Sequence, residues 1–248
     1  MRDFDKSNDD AVMGKNAVIE ALNAKIPAKE LLIQKEGQVD EKIKTAINLA
    51  KSQNIPVKEF PRRGLDDVAG SRNHQGIVLK TKQFNYTHID RLFKSAKKPA
   101  LIVAIDGITD PQNLGAIVRS AAAFGATGVV IPERRNAGIG GSVWKASAGA
   151  AARIPIAQVT NLVNTMGLAK ENDFFVIGLA GDGDANFKNF KLFDQSLFLI
   201  VGSEGKGLSR LVRERCDQIL SIQITNEVES LNASVATAIA LHQISENR

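Results

Sequence analysis

The chain of 248 residues has one cysteine, three scattered histidines and no apolar run near the ~20 residues that a membrane-spanning helix needs. A lone Cys216 excludes an internal disulfide and any multi-cysteine metal site. With so few histidines there is no zinc signature, so no metal is expected. These absences fit a reducing, cytoplasmic setting and no membrane partner. The opening "MRDFDKSNDD" lacks the apolar stretch of a secretory signal and is too acidic for an organelle transit peptide, so residues 1–11 are expected to form a short mobile tail. Two glycine fingerprints are also missing. "GSEGKGL" lacks the first glycine of a phosphate-binding P-loop and places Gly207 after its Gly-Lys, and its spacing is not G-x-G-x-x-G. No Ser/His/Asp or Cys/His set can be assembled, which argues against covalent catalysis by the protein.

What is present is asymmetric. Residues 1–98 hold 19 Lys and Arg against 13 Asp and Glu, whereas residues 99–248 hold 13 against 14. The whole excess of +5 therefore comes from the N-terminal part. A polyanion partner would explain this, and so would a plain solubility charge. That part alternates in pattern. Helices are predicted over 14–23, over 40–54 with Ile43, Ala46, Ile47 and Ala50 on one face, and around "LDDVAG". Strands are predicted over 30–36, 55–60 and 75–82. Residues 12–82 read as a compact α/β unit and 83–99, ending Lys-Lys-Pro, as a linker.

Residues 100–248 repeat strand, loop, helix. The strand candidates "ALIVAID", "TGVVIP", "FFVIGLA", "LFLIVG" and "QILSIQI" are short and almost continuously apolar. That pattern predicts a mostly parallel sheet with helices on both faces. In such sheets ligands bind beyond the carboxyl ends of the strands, so the chemistry is sought in the following loops.

Three of these loops carry polar residues against an apolar background. In "DPQNLGAIVRSAAAFG", Leu114, Ile117, Val118, Ala121 and Ala122 form one helical stripe, and Arg119 lies about 125° from its centre. Taken alone, Asn113 and Arg119 read more readily as a cap and a solvated charge than as parts of a site. In "GSEGKGLSRLVRERCD", Gly202, Gly205 and Gly207 allow close backbone approach, while the Glu204 carboxylate would repel phosphate. That loop suits a cationic or neutral ligand, or is a tight turn with an exposed Glu. In "TNEVESLNASVATAIALHQI", Ser230 and Asn232 are both good helix caps, and one could cap while the other faces a ligand. "LAGDGDANF" leads into no clear helix, "GSVWKASAGAAARIP" reads as a small-residue helix, and Cys216 and His242 read as structural.

Taken together and in order, "NLGAIVRSAAAFGATGVVIP", "LIVGSEGKGLSRLVRERCD" and "SIQITNEVESLNASVATAIAL" resemble the three motifs of the SpoU (TrmH-like) family of SPOUT RNA methyltransferases. "KASAGAAARIP" resembles the segment between the first two. The third motif departs by reading "IQI" where a proline is usual. The resemblance implies a C-terminal domain with a trefoil knot, an N-terminal L30e-like RNA-binding domain, and a homodimer. It implies S-adenosyl-L-methionine as methyl donor and a ribose 2′-oxygen as acceptor, most similarly to enzymes acting on a guanosine of large-subunit (23S) ribosomal RNA. By position it places Asn113, Arg119, Glu204, Ser230 and Asn232 at the catalytic site, with Arg119 stabilising charge and Glu204 anchoring Arg119 or its own loop. It places Leu179, Ala180, Gly202, Gly205, Ile222 and Leu231 around the donor. Acceptors in transfer RNA or at another rRNA site, and a non-catalytic RNA-binding assembly factor, are the rival readings.

Overall fold

The computed structural model describes residues 11–37, 39–187, 189–225 and 230–248. The chain forms two compact units, one of the described residues up to Asn85 together with Ile139–Ala152, the other of Tyr86–Gly138 and Arg153–Arg248.

In chain order the first unit contains β1 (Ala11–Met13), α1 (Lys15–Asn23), β2 (Ala28–Gln34), α2 (Glu41–Ser52), β3 (Val57–Phe60), α3 (Arg62–Ala69) and β4 (Ile77–Thr81). The four strands form one sheet in the order β1-β4-β2-β3, with β2 and β3 parallel and the other pairs antiparallel. Every helix and strand read from the sequence is present within a few residues. Of the expected tail, residues 1–10 lie outside the described residues. Ala11 departs from that expectation, being buried and paired with Lys80 in β1. On α2, Ile43, Ala46 and Ala50 are buried, and Asp40 caps the helix by accepting a hydrogen bond from the Ile43 N–H.

The second unit begins with α4 (Ile89–Ser95), β5 (Leu101–Asp106), α5 (Pro111–Ala123) and β6 (Gly128–Pro132). The chain then supplies α6 (Gly141–Ala146) and a 3₁₀ turn (Ala150–Ala152) to the first unit. It returns as β7 (Ile156–Val159), α7 (Leu162–Glu171), β8 (Phe174–Leu179), β9 (Ala185–Asn186), β10 (Ser196–Gly202), α8 (Arg210–Arg215), β11 (Gln218–Ser221) and α9 (Ala233–Glu246). Its sheet has seven strands in the order β7-β6-β5-β10-β8-β11-β9, and every pairing is parallel. The expected parallel α/β sheet is thus present, with β7 and β9 added.

One part of the sequence reading is corrected. Residues 83–99 are not only a linker, because α4 buries Leu92 and Phe93 in the core of the second unit, with Phe93 against Phe174 and Phe198. The polar surroundings and the Lys-Lys-Pro end hide a two-residue apolar anchor, which suffices to dock a short helix.

The strand order has one unusual feature. β8 and β9 are successive in the chain, yet β11, which comes much later, lies between them. The Ala180 N–H donates to the Leu220 carbonyl, and the Ser221 hydroxyl donates to the Ala185 carbonyl at 3.0 Å. The turn joining β8 to β9 therefore passes across β11.

Candidate active site

Each of the three polar loops leaves the carboxyl end of a strand. The first follows β5. Asp110 caps α5 by accepting from the Gln112 N–H, and Pro111 occupies the first helical position. Asn113 is thereby released from capping, which settles one alternative left open by the sequence. Its Nδ2 donates to Glu204 Oε1 at 3.0 Å.

The second loop follows β10 and folds back on itself as a hairpin. The Ser203 N–H donates to the Gly207 carbonyl at 3.1 Å and the Gly207 N–H returns to Ser203 at 2.9 Å. A Cβ on Gly202 would lie 2.2 Å from the Gly207 carbonyl carbon, closer than real Cβ contacts come. Gly202 is thus required by the chain's own crossing. Gly205 and Gly207 take positive φ (76° and 62°) and turn the hairpin, which exposes Glu204 at its tip.

The third loop leads into α9. Asn232 is the cap, its Oδ1 accepting from the N–H groups of Ser234 and Val235 at 2.9 and 3.2 Å. The same carboxamide donates through Nδ2 to Asn113 Oδ1 at 2.9 Å and, in a second short bond, to Glu204 Oε1. Glu204 Oε1 also accepts from the Ala233 N–H at 3.3 Å. Residues 113, 204 and 232, far apart in sequence, therefore close one hydrogen-bonded cluster that ties three loops together.

Two expected site residues stand apart. Arg119 is exposed and has no hydrogen-bond or ion-pair partner among the described residues. Glu204 accordingly anchors its loop and the α9 cap, not Arg119. Ser230 is exposed and makes no side-chain hydrogen bond to described residues, and residues 226–229 of the same motif lie outside them. Sequence reasoning missed two supporting groups. Asp106 Oδ2 accepts from the Ser209 N–H at 2.6 Å, fastening the far end of the glycine loop to β5. Asn136, after β6, accepts from both Gly107 and Ile108 N–H groups at 3.0 Å. A carboxylate ending a strand and an asparagine in a turn were the only signals, and both occur in many loops without such roles.

The residues expected around a methyl donor meet at the same edge. Val201 pairs with Leu179 and Leu179 with Leu220, so Ala180, Gly202 and Ile222 sit at the ends of three adjoining strands. Ile224 and Leu231 are half-buried, and their main-chain N–H groups have no partner among the described residues. At Ile222 opens a cleft of about 250 Å³ walled by Phe187 and Ile239, with Asn186, Ser221, Gln223 and Gln243 also lining it. Apolar walls edged by polar side chains fit an adenosyl compound that carries an amino-acid tail.

Three further groups near these loops have structural partners. Arg213 on α8 donates to Asp182 at 2.8 Å, and this hydrogen bond, aided by the guanidinium charge, holds the Asp182 carboxyl below its usual range. Cys216 Sγ donates to the Val212 carbonyl, and burial pushes the thiol up to about 12, so it is not a nucleophile at neutral pH. His242, though exposed, stands edge-on to Phe124 with ring centroids 5.7 Å apart, in keeping with a structural role. Among the described residues no cluster of His, Cys, Asp or Glu could hold a metal ion.

An all-parallel sheet with three loops clasped at its carboxyl edge defines an α/β protein that holds a small molecule where its strands end. Residues 100–242 match the SpoU rRNA Methylase family and residues 11–87 match an RNA 2′-O ribose methyltransferase substrate-binding domain. The chain belongs to the SpoU family of RNA methylases. A relative from Mycobacterium avium named an uncharacterized tRNA/rRNA methyltransferase is 46% identical over 96% of this chain and 78% of its own length. The fold is shared with the SpoU methyltransferase AviRb from Streptomyces viridochromogenes, solved in complex with AdoMet (TM-score 0.74, 23% identity, 96% of this chain and 89% of that one). The TrmH/SpoU tRNA modifying enzyme of A. aeolicus matches at TM-score 0.55 and 27% identity, over 64% of this chain and 82% of its own.

Proposed function

We propose that the protein is an S-adenosyl-L-methionine-dependent RNA 2′-O-ribose methyltransferase that modifies a guanosine of large-subunit ribosomal RNA. The observation that carries this reading is the Asn113–Glu204–Asn232 cluster, which sets three loops around one edge of the sheet. The donor, when bound, supplies an electrophilic methyl on a sulfonium. Leu179, Ala180, Gly202, Gly205, Ile222 and Leu231 would hold it, mainly through main-chain groups and apolar contact. The ribose 2′-oxygen forms the new C–O bond as the C–S bond breaks, and the hydroxyl proton passes to solvent.

The residues contribute placement more than bond-making, and placement is itself a large effect. Asn113 and Asn232 hold the loops that would orient the ribose, and Ser230, two residues before Asn232 in the chain, would contribute from the third loop. A guanidinium is a cation that offers donors only, which suits Arg119 to stabilise the developing 2′-alkoxide or grip the neighbouring phosphate and not to remove the proton. Its exposure and lack of a partner among the described residues support that role. The basic first unit, L30e-like in this reading, supplies RNA affinity. The trefoil knot belongs to the same reading, supported by β11 lying between β8 and β9, as does a homodimer.

The test is transfer of tritiated methyl from the donor to total RNA of a strain lacking this protein, followed by mass-spectrometric mapping of the modified nucleotide. A 2′-O-methylguanosine in large-subunit rRNA is the expected result. A modified tRNA or another rRNA site would replace the target, in line with the paired tRNA/rRNA naming of the mycobacterial relative. No transfer to any RNA would leave an RNA-binding factor and refute the enzyme.

A further inference from the structure

The turn after β6 is built more firmly than a connection needs to be. Within "PERRNAG", Asn136 accepts the N–H groups of Gly107 and Ile108 and donates through Nδ2 to the Arg134 carbonyl at 2.9 Å. The Ala137 N–H donates to the Ile108 carbonyl at 2.9 Å. Arg135 stands at a φ of 63°, a left-handed conformation that a non-glycine residue adopts at a cost. The result is a rigid turn presenting Arg134 and Arg135 to solvent, and neither guanidinium has a partner among the described residues.

Three facts give this turn a direction. It is bonded to Gly107 and Ile108, the start of the loop that leads to Asn113. A Cβ on Gly107 would touch the Ser203 side chain, so that loop also abuts the hairpin carrying Glu204. The arginine turn therefore lies on the same sheet edge as the candidate site. The second half of the chain has no basic excess, with 13 Lys and Arg against 14 Asp and Glu from residue 99 onward. Several of its cations are neutralised, since Lys170, Arg210 and Arg213 are all ion-paired. Two adjacent unpaired arginines on a clamped turn are thus a local device, not part of a general charge.

We propose that Arg134 and Arg135 form a preset grip for the RNA phosphate backbone beside the methylated nucleotide, with Asn136 as the positioning residue that holds them. Guanidinium groups suit phosphate because their fixed fork of donors matches its oxygens. A clamped turn loses less freedom on binding than a flexible one. The inference rests on RNA being the substrate, but it concerns binding and is measured without turnover.

The test uses the full-length protein and unmodified large-subunit rRNA transcribed in vitro. RNA binding is measured by filter retention between ~50 and ~300 mM salt. For Arg134→Gln/Arg135→Gln, loss of two phosphate contacts should flatten the slope of log affinity against log salt by about 1.4. It should weaken binding on the order of tenfold near 0.15 M salt, the same slope carried to that concentration. The double Arg→Lys variant should restore the slope. Asn136→Ala should weaken binding while keeping the slope, because the charges remain. Affinity for S-adenosylhomocysteine and the thermal midpoint report whether each variant is folded. A double Gln variant that folds and keeps the wild-type slope and affinity overturns the grip. An Asn136→Ala variant that binds like wild type overturns its positioning role. Wild-type protein that binds this RNA with the expected slope but methylates nothing would refute the activity and leave the grip standing.

Discussion

The three-loop clasp makes a quantitative prediction through Asn232. Replacing Asn232 by Ala removes the α9 cap, whose Oδ1 accepts two main-chain N–H groups. Loss of an asparagine cap costs about 1 kcal/mol. The same change removes the donors to Asn113 and Glu204. Both bonds are exposed, so together they add at most about 1 kcal/mol. The total of ~1–2 kcal/mol should lower the thermal midpoint by roughly 2–8 °C for a protein of this size. Asn113→Ala leaves the cap and removes the bond accepted from Asn232 and the one donated to Glu204, and should cost about 0.5–1 kcal/mol. Because the two residues share one cluster, their double variant should be less destabilised than the sum, with a coupling of at least ~0.5 kcal/mol. Calorimetry of the four proteins of this cycle measures all three quantities. Strict additivity, or an Asn232→Ala midpoint within error of wild type, would show that the clasp is not a coupled unit. Methyl transfer under single-turnover conditions should fall for both single variants, because either one loosens two loops at once.

Gly202→Ala places a methyl 2.2 Å from the Gly207 carbonyl carbon, so the hairpin must move, and a loss of about 1–3 kcal/mol with impaired donor binding is expected by thermal shift and calorimetric titration. Cys216, its thiol raised to about 12 by burial, should resist iodoacetamide at pH 8 in the native protein and react readily in denaturant. Glu30 is held below the usual carboxylate range, first by its hydrogen bond to Lys58 and then by the charges of Lys58 and Lys80, against an opposing effect of burial. Its depressed native value means that the pair stabilises the fold above the ordinary carboxylate range and loses that effect as pH falls through the lowered value. Glu30→Gln should therefore cost up to about 1 kcal/mol at pH 7 and nothing in acid, as followed by the thermal midpoint across pH.

The parallel sheet was legible because its strands are buried on both faces and so read as unbroken apolar runs, "LFLIVG" being the clearest. β7 and β9 were not, and β9 has two residues, too few for any period to show. α4 was hidden for a related reason, as only Leu92 and Phe93 are buried among lysines and other polar residues. At the site, the sequence singled out Asn113, Glu204 and Asn232 because each is a polar residue beside an apolar strand or helix end. It could not show that they touch, since that depends on which strands lie side by side. The insertion of β11 between β8 and β9 is a further case, because strand order leaves no trace in local pattern.

The clasp also explains why asparagine occupies two of its three positions. At residue 232 one side chain must accept two N–H groups as a helix cap and at the same time donate to a carboxylate. Asp would supply the cap and then face Glu204 with a second negative charge. Ser would supply the cap but, with one short hydroxyl, could not also donate to both neighbours. Only a carboxamide has its acceptor and its two donors on separate atoms at this reach. Residue 113 meets a similar demand, accepting from Asn232 while donating to Glu204. Glu204 then needs only to accept, which suits a carboxylate, an acceptor with two oxygens. Asn232→Asp should for this reason keep the cap and most of the thermal stability yet lose methyl transfer. A variant of that kind with full activity would break the link drawn between the clasp and catalysis.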